Sequence, residues 1–295
     1  MTDFSFPFED RFFSDEALNC REPIIFHYTN GAGALGIVTS GHLWCSLAYQ
    51  MNDKQECRYA HQVATSRAYS LLRKADAAHR AKFIEEFKSQ LERISRAHIY
   101  AACFSDAPDL LSQWRGYSGL AGYALGFSLE ALRKISPSRQ FQLAPVKYRH
   151  DEHLADLDPI ILPLLDRYDA SAADREKIDE LFWPSIQQIA DKSAVIKHAA
   201  FSEEREWRLY SIPFSNSYER NDFIVRNDRI LPICKFDLDA GTKTVRNSVL
   251  KDICLRSFRV GPGPDQEDRA EAMHAVIRRN KIYWQLASRS TVPLR

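Results

Sequence analysis

The sequence predicts an α+β protein with one mixed β-sheet and inserted helical blocks. Short apolar runs of strand length cluster in the first and last parts of the chain. Two long stretches of helical pattern, about residues 53–97 and 151–197, lie between them, the first with neither Gly nor Pro. The strands do not alternate regularly with helices, which excludes a simple βαβ repeat. A chain of 295 residues, 45% hydrophobic and 27% charged, can bury one large core. Residues 1–295 therefore read as a single domain, with residues 1–22 as an N-terminal extension.

The run Pro23 to Tyr28 reads as a buried strand, and Thr29-Asn30-Gly31 as a turn that caps a short helix from Ala32 to Thr39. Ser40-Gly41 ends that helix, and His42 to Ser46 is a second strand. The block 53–97 divides into two helices near residues 75–79. Strands follow at His98 to Ser105, Tyr123 to Ser128 and Phe141 to Tyr148. The second block breaks at residues 168–173, and Pro159, Pro163 and Pro184 are expected at helix ends or kinks. Further strands are Trp207 to Ile212, Phe223 to Arg226, Ile230 to Phe236 and Ile253 to Val260. Gly261 to Asp265 breaks the chain before a helix from Gln266 to Arg279, and Ile282 to Leu286 closes as a strand.

A formal net charge of +1 supplies no field that would select nucleic acid or an anionic membrane. The N-terminus alternates Phe with acidic residues, unlike a signal peptide, and no run approaches the ~20 apolar residues that span a bilayer. The expected location is the cytoplasm, without membrane association. Cysteines 20, 45, 57, 103, 234 and 254 form no CxxC and no zinc-type spacing with His, so all six are expected to be free thiols with no bound metal.

Three short constellations carry chemistry. His27-Tyr28-Thr29 ends an apolar strand, where side chains project into clefts; imidazole can bond a ribose hydroxyl and a tyrosine face can stack on a planar ring. The alternative is a core aromatic beside a satisfied histidine. Gln113-Trp114-Arg115-Gly116-Tyr117 puts aromatics beside an arginine able to clamp a pyrophosphate, or else a core plug beside a surface ion pair. Phe201 to Arg208 holds Glu204, Arg205, Glu206, Trp207 and Arg208. In extended form Glu204, Glu206 and Arg208 share one face. Paired carboxylates can stabilise an oxocarbenium-like ribose and orient a nucleophile, or they can belong to a salt-bridged edge strand.

Together with Gly36-Ile37, Ser40 to Trp44, Asn52-Asp53 with Glu56, Cys103-Phe104-Ser105, Gly126-Phe127, Lys147-Tyr148 and Arg259 to Pro262, these motifs resemble the bacterial family of domain of unknown function 2971. The resemblance runs from about Ile24 to Ile282. That family's layout is in turn similar to the ADP-ribosyltransferase superfamily, which implies a mixed, split β-sheet core with inserted helices. It also implies NAD as substrate, and a protein or nucleic acid as acceptor. A toxin or anti-phage effector is implied with it, together with a regulatory or antitoxin partner. By that resemblance His27 engages NAD from the first strand and Glu206 is the catalytic glutamate with Glu204 as partner. Tyr28, Thr29, Arg115, Tyr117 and Tyr123 complete the NAD-binding set. The chain departs from the superfamily in lacking a Ser-Thr-Ser triplet on the strand 123–128, and its second His-Tyr-Glu residue is matched only if Tyr28, Tyr117 or Tyr123 fills it. The reading requires His27 and Glu206 to line one cleft. Two other classes remain open: a nucleotide-binding sensor without catalysis, and a metal-dependent nuclease using Asp106, Asp109, Glu204 and Glu206.

Overall fold

The structure, a computed structural model, describes residues 22–50, 56–94, 99–119, 121–168, 175–212, 221–226, 228–245 and 248–293. Most of the N-terminal extension, Cys20 and the Asn52-Asp53 motif lie outside the described residues. The opening strand β1 (Ile24–Thr29) runs into helix α1 (Gly31–Ser40). Asn30 accepts a hydrogen bond from Gly33 N at 2.8 Å, and Gly41, at φ 70°, closes the helix in the left-handed conformation. After β2 (His42–Leu47) come α2 (Glu56–Leu71), α3 (Ala77–Ile94) and β3 (Tyr100–Ser105). The chain continues through a one-turn helix, α4 (Leu111–Gln113), then β4 (Tyr123–Ser128), α5 (Leu129–Ile135) and β5 (Phe141–Pro145). Next are α6 (His150–Arg167), α7 (Arg175–Ser193) and β6 (Glu206–Ser211). The remainder comprises β7 (Asn221–Arg226), β8 (Arg229–Asp237), β9 (Thr242–Val245), β10 (Ser248–Lys251), β11 (Leu255–Val260), α8 (Gln266–Arg279) and β12 (Leu286–Arg289).

The sheet is mixed and largely antiparallel, in the order β12-β11-β4-β1-β3-β2-β8-β7, with β6 between β3 and β5. Among the described strands of this sheet the parallel pair is β11 with β12. Strand β6 follows one edge of β3 along its length. The other edge is shared: β1 meets it at Ser105, and β2 meets it at Tyr100 and Ala101. The sheet is therefore split at β3, with β1 and β2 diverging from it.

Alternation along the strands gives each face its own packing. On one face Ile25, Tyr100, Phe104, Leu125, Phe127, Leu209 and Phe236 form the main core against α1, α5 and α8. On the other, α2, α3, α6 and α7 build a separate core around Phe83, Phe87, Ile161 and Phe182. That helical block meets the sheet where Ala194 and Val195 pack on Ala101 and Tyr210.

Three expectations need correction. Pro159 and Pro163 lie inside α6 and Pro184 inside α7. All three are exposed, so the missing N–H groups fall on the hydrated side, while Leu157, Ile160, Ile161 and Leu164 hold the inner side of α6 in the core. The closing strand is Leu286–Arg289, because Ile282 makes only an isolated bridge to Lys251. The β9–β10 hairpin and α5 went unpredicted; β9 is polar and exposed throughout, so no apolar alternation marks it.

Candidate functional site

The candidate site forms where the split sheet meets the end of the helical block. Beyond α7 the chain runs beside the residues that follow β5, in an isolated parallel bridge: Lys147 N donates to Val195 O at 2.7 Å and Lys197 N to Lys147 O at 3.0 Å. A 3₁₀ turn, Ala199–Glu204, follows; the His198 ring caps it, accepting from Ala200 N at 3.1 Å. Arg205 takes the left-handed conformation at φ 49° and turns the chain into β6. Glu204 therefore reaches the site from a helical turn, not from the extended strand expected of it. Glu206 and Arg208 alone share the strand face.

The Lys197 ammonium sits between both carboxylates, 2.8 Å from Glu204 Oε2 and 2.9 Å from Glu206 Oε2. It also lies over the Phe201 ring, 4.9 Å from the centroid. Arg208 donates to Glu206 through Nε at 2.7 Å and Nη2 at 3.1 Å, and its Nη1 bonds Ala194 O at 3.0 Å. The Tyr148 hydroxyl accepts from Glu206 N at 3.0 Å. Ser105 Oγ fastens the turn by donating to Glu204 O at 2.7 Å.

Burial alone would raise the Glu206 pKa, but Arg208, Lys197 and the Cys103 thiol outweigh it and hold the carboxyl down to about 2. Burial and the neighbouring Glu206 charge push the Tyr148 phenol up to about 12, against the opposing effects of its backbone hydrogen bond and Lys197. The Tyr117 phenol is raised by burial first, then by the charges of Cys103, Glu204 and Glu206. Access is uneven. The Lys197, Glu206 and Arg208 side chains are 2–4% exposed, Glu204 is 17% exposed, and Tyr117 as a residue is 37% exposed. A molecule arriving from solvent meets Glu204 and Tyr117 before the buried pair.

Tyr117 is positioned by its own segment. Residues Trp114–Ser118 form a π-helical turn ended by Gly119 at φ 65°, a geometry frequent at functional sites. Trp114 is fully buried, edge-on to Tyr28 at 4.7 Å, and its Nε1 donates to Asp109 Oδ1 at 2.7 Å. Asp109 also accepts from Arg259 Nη1 at 3.1 Å, Ser290 Oγ at 2.6 Å and Thr291 N at 2.8 Å. Arg115 stands exposed on the same turn.

The expected residues divide between the two faces. His27 pairs with Leu125 on the main-core face, its Nδ1 2.8 Å from Cys103 O and its ring 5.7 Å from Phe104. Thr29 pairs with Tyr123 on that face, and Tyr123 donates its hydroxyl to Arg269 O at 3.1 Å. Glu206 pairs with Ser105, which pairs in turn with Phe26, so it points to the opposite face. His27 and Glu206 therefore do not line one cleft: β1 residues one apart in register project to opposite sides. Tyr28 does share the Glu206 face, but its hydroxyl donates to Ala107 O at 2.7 Å and its ring packs on Trp114, a core role. The acidic set considered for a nuclease is also dispersed in function: Asp109 is spent on the bonds above and Asp106 pairs with Arg205 at 2.5 Å. Among the described residues no group of three or more His, Cys, Asp or Glu is placed to hold a metal ion. Cys45, Cys103, Cys234 and Cys254 form no disulfide. A shallow depression lined by Thr242, Val249, Lys251 and Arg279 lies at the β9–β10 hairpin and contains none of these residues.

Lys197 is the member that sequence reasoning missed. It follows an apolar Val195-Ile196 pair with nothing to distinguish it from a surface lysine. Tyr148 and Cys103 were marked only within motifs of the resemblance.

Fold and site together define a mixed α+β chain with a split sheet and, at the split, a two-carboxylate, two-cation cluster buried except at Glu204. Residues 113–209, about a third of the chain, match the model of the family described as Protein of unknown function (DUF2971). That segment carries Tyr117, Tyr148, Lys197, Glu204, Glu206 and Arg208, all of the cluster except Cys103. No curated protein and no solved structure matches the chain. Among the described residues no helix is long and apolar enough to cross a membrane.

Proposed function

We propose that this chain is an NAD-dependent ADP-ribosyltransferase in which Glu204 is the reacting carboxylate and Glu206 holds it in place. The observation that carries the reading is the Lys197 ammonium shared between a buried, arginine-paired Glu206 and an accessible Glu204. Glu206 cannot turn toward a substrate without abandoning Arg208 inside the protein, which costs several kcal/mol, ~3–5. Glu204 keeps the accessible edge, and Lys197 holds it oriented.

On this reading the Tyr117 ring is the platform for the nicotinamide, and the Arg115 guanidinium is available to the pyrophosphate. The bond between ribose C1′ and the nicotinamide nitrogen breaks with its electron pair going to the ring, which discharges the pyridinium. The positive charge left on the ribose is stabilised by the Glu204 carboxylate. The acceptor's lone pair then bonds C1′, and its proton passes to Glu204 or to water. His27, Thr29 and Tyr123 have no part in these steps, since they lie on the opposite face of the sheet.

The test is nicotinamide release by the purified protein, with and without an extract that supplies acceptors. Glu204→Gln keeps the shape and removes the charge, so release should fall about 10²–10³-fold with NAD affinity retained. A Glu204→Gln protein that turns over like wild type would exclude this assignment of the carboxylate.

A further inference from the structure

Strand β7 is the last in the order of the large sheet, so among the described residues one row of its backbone N–H and C=O groups has no strand partner. Its apolar residues are also uncovered. On β8, Ile230, Pro232, Cys234 and Phe236 occupy one face; Cys234 and Phe236 are buried in the main core, whereas Ile230 is 73% exposed. Cross-strand register adds Val225, opposite Ile230, and Phe223, opposite Pro232, at 75% and 65% exposure. The face that is core elsewhere in the sheet thus continues into solvent as an apolar strip on an open edge. Isolated exposed apolar residues are ordinary, but a contiguous strip on an unpaired strand marks an interaction surface.

The sequence of β7 indicates what fits there. It reads Asn221-Asp222-Phe223-Ile224-Val225-Arg226, with an acid two residues before Ile224 and a base two residues after it. Two copies paired antiparallel about a twofold axis at Ile224 set Ile224 on Ile224, Phe223 opposite Val225 and position 222 opposite position 226. Apolar meets apolar and acid meets base at each of these positions, as an isologous contact requires. Asp222 already contacts Lys235 at 2.6 Å while its side chain stays 54% exposed, so it has surface to offer a second base.

We infer that β7 is the dimerisation edge of this protein and that its partner is β7 of a second copy, the two sheets joining across the twofold axis. The inference is independent of the proposed chemistry. The test is sedimentation equilibrium of the wild type, Arg226→Asp, and the double charge swap Asp222→Arg with Arg226→Asp. In the dimer Arg226→Asp sets acid against acid, and the dissociation constant should rise about tenfold or more. The double swap restores opposite charges across the axis and should dimerise more tightly than the single variant, short of the wild-type constant because it gives up the Asp222–Lys235 contact, with unchanged circular dichroism throughout. A monomeric wild type overturns the inference. So does a dimer indifferent to Arg226→Asp, or a double swap that stays as weak as the single variant.

Discussion

Glu206 and Glu204 are two residues apart and chemically identical, yet their surroundings give them different work. Glu206 begins a strand whose next inward position is Arg208, and the pair is buried; Glu204 ends a 3₁₀ turn at the rim. Replacing Glu206 by Gln should therefore damage stability first. It leaves the Arg208 charge buried with one partner fewer, a loss of about 3–5 kcal/mol that a thermal or denaturant melt would reveal. The pH dependence has a definite sign. Because the folded carboxyl is held at about 2, below its ordinary value of 4.5, its contribution is present above that ordinary value and is lost as pH falls toward 2. Acid titration of the wild type should show stability declining across that window by something on the order of 3 kcal/mol, and Glu206→Gln should lack that part of the decline. An identical acid limb in both proteins would mean that Glu206 is not held by these cations. The glutamates and Arg208 were legible as chemistry in the sequence, since an acid-rich run entering a strand is visible by eye. Their separate roles were not, because the left-handed turn at Arg205 and the arrival of Lys197 from a different segment leave no local signature.

The segment from Ser105 to Gly119 converts core packing into site geometry. Trp114 is anchored by Tyr28 and Asp109, and Asp109 is anchored by Arg259 and the chain near Ser290, so the π-turn that presents Tyr117 is tied to β1, β11 and the residues after β12. Asp109→Ala should cost about 3–5 kcal/mol, because it removes the carboxylate paired with the buried Arg259, and it should also loosen the turn. Hydrogen exchange would detect this as faster exchange at the residue 114–118 amides, while β5 and β6 stay protected. Unchanged exchange there would mean that the turn is held by other contacts. The sequence placed an aromatic-arginine motif in a loop and left open whether Trp114 binds or packs; the structure resolves it as packing, with Tyr117 and Arg115 toward solvent. Elements with strong periodicity were read within a residue or two, as for β4 and α8. The errors came where tertiary packing overrides local preference: exposed prolines tolerated on the wet side of α6 and α7, and a polar β9–β10 hairpin without alternation.

At the scale of the molecule, the split of β1 and β2 from β3 decides which residues can act together. The sequence predicted an α+β chain with a mixed sheet and two helical insertions, and that architecture is present. The strand order was not available from it, since order depends on which edge of β3 each neighbour takes. The His27–Glu206 pairing failed for that reason: two polar strand ends look equivalent in sequence, while register assigns them to opposite faces. His27→Ala is accordingly expected to act through packing against Phe104 and the lost bond to Cys103 O, lowering stability while leaving NAD affinity within about twofold of wild type, less than the contribution of one ordinary hydrogen bond. Isothermal titration with NAD would check this, and a tenfold loss of affinity would return His27 to the site. The most direct test of the proposed function is nicotinamide release from NAD by wild type and Glu204→Gln side by side, both shown to be folded. Release by the wild type, reduced about 10²–10³-fold in the variant, is the predicted result. No NAD binding or release by the folded wild type, with or without acceptor extract, would contradict it.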